Sequence, residues 1–288
     1  MAHYGTIEID GLHIFYREAG THGRPVLLLL HGFPASSFMF RELIDKLADQ
    51  FHLIAPDYPG FGYSDAPSPK QYSYTFDRLA DVIEKFTETL GLKRFGLYMQ
   101  DFGGPVGFRL ATRRPERVSF LVIQNANAYE EGLPESFWQP ARALWSDPSE
   151  ENFAKIREAA MSAEALEWNY KHGVKDATKI SPDNWVLQKA LLACPGNKEI
   201  MVQLLYDYRT NLGQYPKWQE YFRKHQPPTL IVWGKNDIIF PTSGAYRYQR
   251  DLKTVDFHLL DTGHFALEEE RDVIAKHIRS FVNNIALT

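Results

Sequence analysis

The feature that most constrains how this chain can fold is the alternation of short apolar runs with stretches of helical periodicity. Pro25–His31, His52–Asp57, Phe95–Gln100, Phe120–Gln124, Thr229–Trp233 and Val255–Leu260 are brief and mostly apolar. A continuous apolar run bounded by turn residues predicts a strand buried on both faces, because a half-exposed strand alternates apolar with polar residues. Between these runs lie Phe40–Leu47, with Leu43, Ile44 and Leu47 at helical spacing, Arg78–Leu90, and a stretch from Gly103-Gly104 to Arg114. Strands alternating with helices imply βαβ units, so the predicted class is α/β with a doubly wound, mostly parallel sheet. Asp10-Gly11, between Thr6–Asp10 and Leu12–Glu18, predicts a hairpin ahead of that sheet, and Asp272–Phe281 predicts a closing helix.

The rhythm breaks from about Tyr129 to Gln214. This stretch has a helical pattern without a clear strand and holds four of the six tryptophans, Trp138, Trp145, Trp168 and Trp185. An insertion between two sheet strands predicts a helical cap, which divides the chain into a first core part (1–128), a cap (129–215) and a second core part (216–288). The tryptophans would hold the cap together and, as a group, wall an apolar cavity between cap and core.

Composition narrows the function classes. The 288 residues are 44% apolar and 24% charged, values of an ordinary globular protein, and the net charge of −4 comes without long blocks of one sign. Nucleic-acid and membrane-surface binding therefore lack an electrostatic basis. Val26–Leu30 is far too short to span a bilayer, and Met1–Gly11 has no signal-peptide core. A single cysteine, Cys194, precludes an internal disulfide framework and reads as structural. The lone thiol predicts a cytoplasmic protein, and the aromatic cap predicts a small apolar organic substrate that reacts with water. Without a metal-ligand cluster or a phosphate-cradling glycine loop, no metal and no cofactor is expected.

Open α/β sheets place their chemistry at the carboxyl ends of strands. Four strand ends here carry reactive or positioning residues: His31-Gly32-Phe33-Pro34, Gln100-Asp101-Phe102-Gly103-Gly104, Gly234-Lys235-Asn236-Asp237 and Gly263-His264-Phe265. The order nucleophile, acid, histidine is that of the α/β-hydrolase fold, with Asp101, Asp237 and His264 in the three places. Asp57 also ends a strand but heads a Pro/Gly-rich loop and reads as a hydrogen-bonding residue. Gly62-Tyr63-Ser64-Asp65-Ala66 comes near G-x-S-x-G, yet it lacks the second glycine and follows Pro59-Gly60 and not a strand. The end of Phe120–Gln124 carries Asn125 and Asn127, not a carboxylate, which favours Asp237 as the acid.

Over nearly the whole chain these motifs resemble the epoxide hydrolase and haloalkane dehalogenase branch of the α/β-hydrolase superfamily. One departure is Met99, which stands where a glycine is commonest before the nucleophile. The resemblance implies that Asp101 attacks saturated carbon to give an alkyl ester. His264, held by Asp237, then activates a water that attacks Cγ of Asp101. It also implies that the backbone N–H groups of Phe33 and Phe102 form the oxyanion hole.

The leaving group distinguishes the readings. Haloalkane dehalogenases have a tryptophan N–H directly after the nucleophile, where this chain has Phe102. Haloacetate dehalogenases have arginines just after it, where Phe102 and Pro105 stand. Epoxide hydrolases use cap tyrosines as ring-opening acids, one in a Tyr-Arg pair about thirty residues before the acid, which Tyr208-Arg209 matches and Tyr206 nearly matches. The second tyrosine would fall near Trp145 and Pro148; none is there, and Tyr129 or Tyr170 is the substitute. The leading expectation is thus an epoxide hydrolase with Tyr208 as acid and Trp138, Trp145 and Tyr206 against the substrate. The competing expectations are a dehalogenase using the same triad and a non-catalytic ligand-binding homologue.

Overall fold

The computed structural model describes residues 2–285. The chain opens with strands β1 (His3–Ile9) and β2 (Leu12–Ala19), joined at Asp10-Gly11, where both residues take positive φ. Strand β3 (Val26–Leu30), helix α1 (Arg41–Leu47), strand β4 (His52–Pro56), helix α2 (Phe76–Thr89), strand β5 (Phe95–Gln100), helix α3 (Gly103–Arg113) and strand β6 (Val118–Gln124) follow. Seven helices then run without a strand: α4 (Glu135–Ser146), α5 (Glu150–Met161), α6 (Ala163–Lys171), α7 (Asp183–Leu192), α8 (Asn197–Asp207), α9 (Arg209–Leu212) and α10 (Tyr215–His225). Strand β7 (Thr229–Gly234), helix α11 (Thr242–Asp251), strand β8 (Val255–Leu260) and helix α12 (Ala266–Ile285) end the described chain.

The strands form one eight-stranded sheet in the order β1-β2-β4-β3-β5-β6-β7-β8. Only the pairings of β2 with β1 and β4 are antiparallel. From β4 to β8 every pairing is parallel, and β5 and β6 lie in register at Gln100 and Gln124. The continuous apolar runs behave as their pattern dictates. Every residue of β4, β5 and β7 is buried because helices cover both faces. The edge strand β8 buries only Leu260 fully.

Two apolar cores result, one on each face of the sheet. One joins α2, α3 and α11 with much of the α4–α10 stretch through residues such as Phe86, Phe108 and Trp218. The other packs α1 and α12 through residues such as Leu43, Leu47, Ile278 and Phe281. Helix α2 shows how local sequence sets an element. Thr75 caps it by accepting from the Arg78 N–H, and Phe76, Leu79, Val82, Ile83 and Phe86 form its buried face. Cys194, expected to be structural, is exposed beyond the end of α7 and contributes nothing to either core. Among the described residues no helix is long and apolar enough to cross a membrane.

Candidate active site

Strand β5 ends on Gln100, and the next residue, Asp101, has φ of 49°. This left-handed conformation turns the chain sharply into α3, so the carboxylate is presented at the carboxyl edge of the sheet. The departure at Met99 is resolved one helical turn later. A Cβ on Gly107 would lie 2.3 Å from Met99 Sδ, so the missing side chain on α3 makes room for the large one on β5.

The Phe33 N–H donates to Asp101 Oδ1 at 2.6 Å, and the Phe102 N–H also bonds the carboxylate. Burial pushes the Asp101 carboxyl up to about 6, against the opposing pull of His264 and the two amides. The expected oxyanion pair thus converges on the expected nucleophile.

His264 lies between two carboxylates. Its Nδ1 is 2.8 Å from Asp237 Oδ2, and its Nε2 is 3.8 Å from Asp101 Oδ2. Burial alone would lower the imidazole pKa, but the charges of Asp237 and Asp101 and the bond to Asp237 outweigh it, and the net direction is upward. Asp237 is held on both oxygens: Oδ1 accepts from the Ile239 N–H and Oδ2 from Asn125 Nδ2, each at 2.8 Å. Asn125 also accepts from the Gly234 N–H at 2.9 Å, tying the end of β6 to the end of β7. In the sequence Asn125 only marked the absence of a carboxylate; the fold makes it the brace of Asp237.

Asp101 and His264 form the floor of a cavity of about 310 Å³ whose wall comes largely from α4, α5 and α6. Phe33, Phe102, Trp138, Ile156, Leu205 and Ile239 make the wall apolar, and Ser136, Gln139, Asn169 and Trp168 add neutral polar groups. Trp138 is therefore where it was expected, although its indole N–H is already committed to the Ile239 carbonyl at 2.9 Å.

The other residues expected against the substrate are elsewhere. Trp145 bonds the Leu205 carbonyl and stacks on Tyr208, off the cavity wall. Tyr206 lines a separate surface cleft, with the Arg209 guanidinium 3.6 Å above its ring. Tyr208 is fully buried behind the wall, its ring 4.8 Å from that of Trp138 and 6.0 Å from that of Phe102. Its hydroxyl faces that of Tyr215 without closing a hydrogen bond, and burial holds its pKa well above the usual phenol value. Of the substitutes, Tyr129 donates to Asp251 and Tyr170 stacks on Phe265. Aromatic packing accounts for two of these positions: Trp145 and Tyr208 stack on each other, and the Tyr208 ring lies against Trp138, which lines the cavity.

Asp57 is buried and accepts from the Ser37 and Tyr63 N–H groups, and Ser64 donates to the Asp57 carbonyl, so both hold loops. Among the described residues, Glu18, His22 and His52 gather their ligand atoms within 4.8 Å of one another. This group lies at the amino end of β4, opposite the sheet edge that carries Asp101, and His52 Nε2 already bonds Glu18 at 2.5 Å.

Two aspartates and a histidine brought together at strand ends of a mostly parallel sheet suit one class of protein, and the comparisons agree with it. The chain belongs to the α/β hydrolase fold family, whose model matches residues 25–271, and it is an α/β-fold hydrolase. It is 42% identical over 283 residues to the uncharacterized hydrolase YNR064C of Saccharomyces cerevisiae, covering 97% of each chain. It is 28% identical to a cis-3-alkyl-4-alkyloxetan-2-one decarboxylase of Shewanella oneidensis (95% of this chain, 86% of the other). It is also 28% identical to haloalkane dehalogenase 2 of Mycobacterium bovis (92% and 90%). The crystal structure of haloalkane dehalogenase DbeA from Bradyrhizobium elkani superposes with a TM-score of 0.83 at 20% identity, covering 100% of this chain and 99% of that one.

Proposed function

We propose that this hydrolase displaces a leaving group from saturated carbon by attack of Asp101, and that water then hydrolyses the alkyl ester. The observation that carries the proposal is the Asp101 carboxylate itself, bonded to two backbone amides and set 3.8 Å from His264, whose other ring nitrogen bonds Asp237, on the floor of an apolar cavity. A carboxylate held at about 6 is mostly ionised at neutral pH and needs no base for the first step. In that step a carbon–oxygen bond forms to Asp101 and the bond to the leaving group breaks. Esterification removes one of the two negative charges that raise the His264 pKa, so the imidazole becomes a neutral base when the ester needs one. His264 then takes a proton from water as the oxygen attacks Cγ, and the Phe33 and Phe102 amides stabilise the resulting oxyanion. Its collapse breaks the bond from Cγ to the alkyl oxygen, which leaves as the alcohol with the proton from His264, and Asp101 returns to the carboxylate by losing a proton to solvent. Residues 129–215 act in this scheme as the cap that excludes bulk water.

The leaving group follows from the cavity wall. An epoxide opens to a strongly basic alkoxide and needs an acid, and among the described residues no tyrosine lines this cavity. Halide leaves as a weakly basic anion, and so does the carboxylate of a strained lactone; both need only neutral donors. This favours carbon–halogen substrates and small alkyl-substituted oxetanones over epoxides, and the names of two relatives point the same way. The test is a parallel screen of haloalkanes, oxetan-2-ones and epoxides that reads halide, hydroxy acid and diol. Intact-mass measurement on His264→Gln accompanies it. Halide or hydroxy acid should form with wild type, and an alkyl adduct on Asp101 should accumulate in the variant. Diol as the sole product would return the epoxide reading, and absence of any adduct would overturn the covalent mechanism.

A further inference from the structure

Gln100 is the last residue of β5 and is wholly buried, directly before Asp101. Its side chain turns toward the same space as the triad. Its Nε2 lies 2.9 Å from His264 Nε2, the ring nitrogen that does not bond Asp237. Its Oε1 sits beside Gly32, where a Cβ would fall 2.5 Å from both that oxygen and Asp101 Oδ1. Gly32 thus leaves the space that lets the amide and the carboxylate approach a common point. The carbonyl Oε1 is buried and finds no donor among the described residues.

An unpaired buried carbonyl is costly, and an apolar side chain of similar size would fill the position without it. Packing therefore does not account for an amide here; the bond to His264 does. With Asp237 accepting from Nδ1–H, Nε2 carries the lone pair, and the Gln100 N–H is the donor that faces it.

We infer that Gln100 is a positioning residue that holds His264 as the neutral, Nδ1-protonated imidazole, with the Nε2 lone pair directed toward Asp101. This rests on the proposed role of His264 as the base of the ester-hydrolysis step. The charged groups facing the ring are Asp237, beyond the end of β7, and Asp101, beyond the end of β5. Phe240 and Phe265 cover the rest, with ring centroids at 5.7 and 5.1 Å. Both carboxylates favour the imidazolium; burial under the two rings opposes them, and the Gln100 donor on Nε2 opposes them further through a directed hydrogen bond. A hydrogen bond to the neutral form lowers the pKa of a base. Gln100 would thereby keep a usable fraction of His264 uncharged before the ester forms, and it would yield Nε2 to the attacking water.

The test is an NMR titration of ¹⁵N-histidine-labelled protein, wild type against Gln100→Met. Removing the amide should raise the His264 pKa by about half a unit to one unit. The acid limb of single-turnover ester hydrolysis should move by the same amount, with little change in KM. In wild type above its titration midpoint, ring ¹⁵N shifts should report a proton on Nδ1 and a hydrogen-bonded acceptor at Nε2. That reading stands even if the variant does not fold. A fall in pKa in Gln100→Met, an unchanged pKa, or a neutral ring protonated on Nε2 would each overturn the inference. A failure of the covalent mechanism shows separately, as a missing adduct in His264→Gln, and leaves the titration readable.

Discussion

At Asp101 the protein keeps a carboxylate where burial opposes its charge. Its raised pKa, about 6, has two consequences of opposite sign. For activity, the proposed mechanism needs the ionised form, so the single-turnover alkylation rate should fall tenfold per pH unit below about pH 6. For stability, a folded-state pKa above the unfolded value means that the folded chain binds the proton more tightly. Its contribution is full below pH 4 and is lost as pH rises through about 6. Asp101→Asn should therefore be more stable than wild type at pH 8, by on the order of 2–3 kcal/mol. That advantage should vanish at pH 4, as urea denaturation at the two pH values would show. Equal stability of both proteins at pH 8 would mean that Asp101 is less desolvated than the fold indicates. The identity of this residue and of His264 could be read from their order at strand ends. The fate of Tyr208 could not, because spacing places a side chain on a helix without saying which neighbours screen it.

Among the elements, the turn from β5 into α3 shows how one departure in sequence is absorbed by another. Met99 and Gly107 are eight residues apart in the chain, yet the Met99 sulfur occupies the space a side chain on Gly107 would need. Gly107→Ala would gain about 1 kcal/mol of helix propensity but overpack a fully buried site, which costs about 1–3 kcal/mol. We expect net destabilisation of wild type. In a Met99→Ala background, where the space is free, the same change should stabilise. A double-mutant cycle by chemical denaturation should return a coupling energy of at least about 1 kcal/mol; additivity would mean that Met99 repacks freely. The β-strands and most helices of the core were legible because periodicity is local; the Thr75 cap that starts α2 two residues ahead of the expected Arg78 came only from the structure. Residues 129–214 were legible as a helical stretch without a strand, but not as separate helices with defined ends.

Across the whole molecule, the return of the α4–α10 stretch toward the sheet is pinned beside the triad. Asn236 Nδ2 donates to the Gly173 carbonyl at 2.8 Å, and a Cβ on Gly263 would strike the His172 carbonyl at 1.9 Å. Buried Glu269, on α12, accepts from the Lys175 and Asp176 N–H groups at 3.1 and 2.6 Å. The same carboxylate therefore ties this stretch to the helix that follows His264. Glu269→Ala should cost about 1–2 kcal/mol and speed hydrogen exchange of the amides from 172 to 180, with little change at β5. Uniform protection across that segment in the variant would show that the tie is dispensable.

What the sequence supplied alone was the class of sheet, its strand ends and Asp101, His264 and Asp237 as candidates for the site. The first two follow from apolar run length and turn residues, which act over a few residues, and the candidates follow from their order along the strand ends. Tertiary structure decided what depends on neighbours distant in the chain. Asn125 braces Asp237 across two strands, Gly107 makes room for Met99, and Gln100 reaches His264 over 164 residues of separation. Trp138, and neither Trp145 nor Tyr208, lines the cavity. The physical reason is common to all four. A hydrogen bond or a van der Waals contact is fixed by distance and direction in space, and composition and spacing along the chain carry neither until the helices have packed.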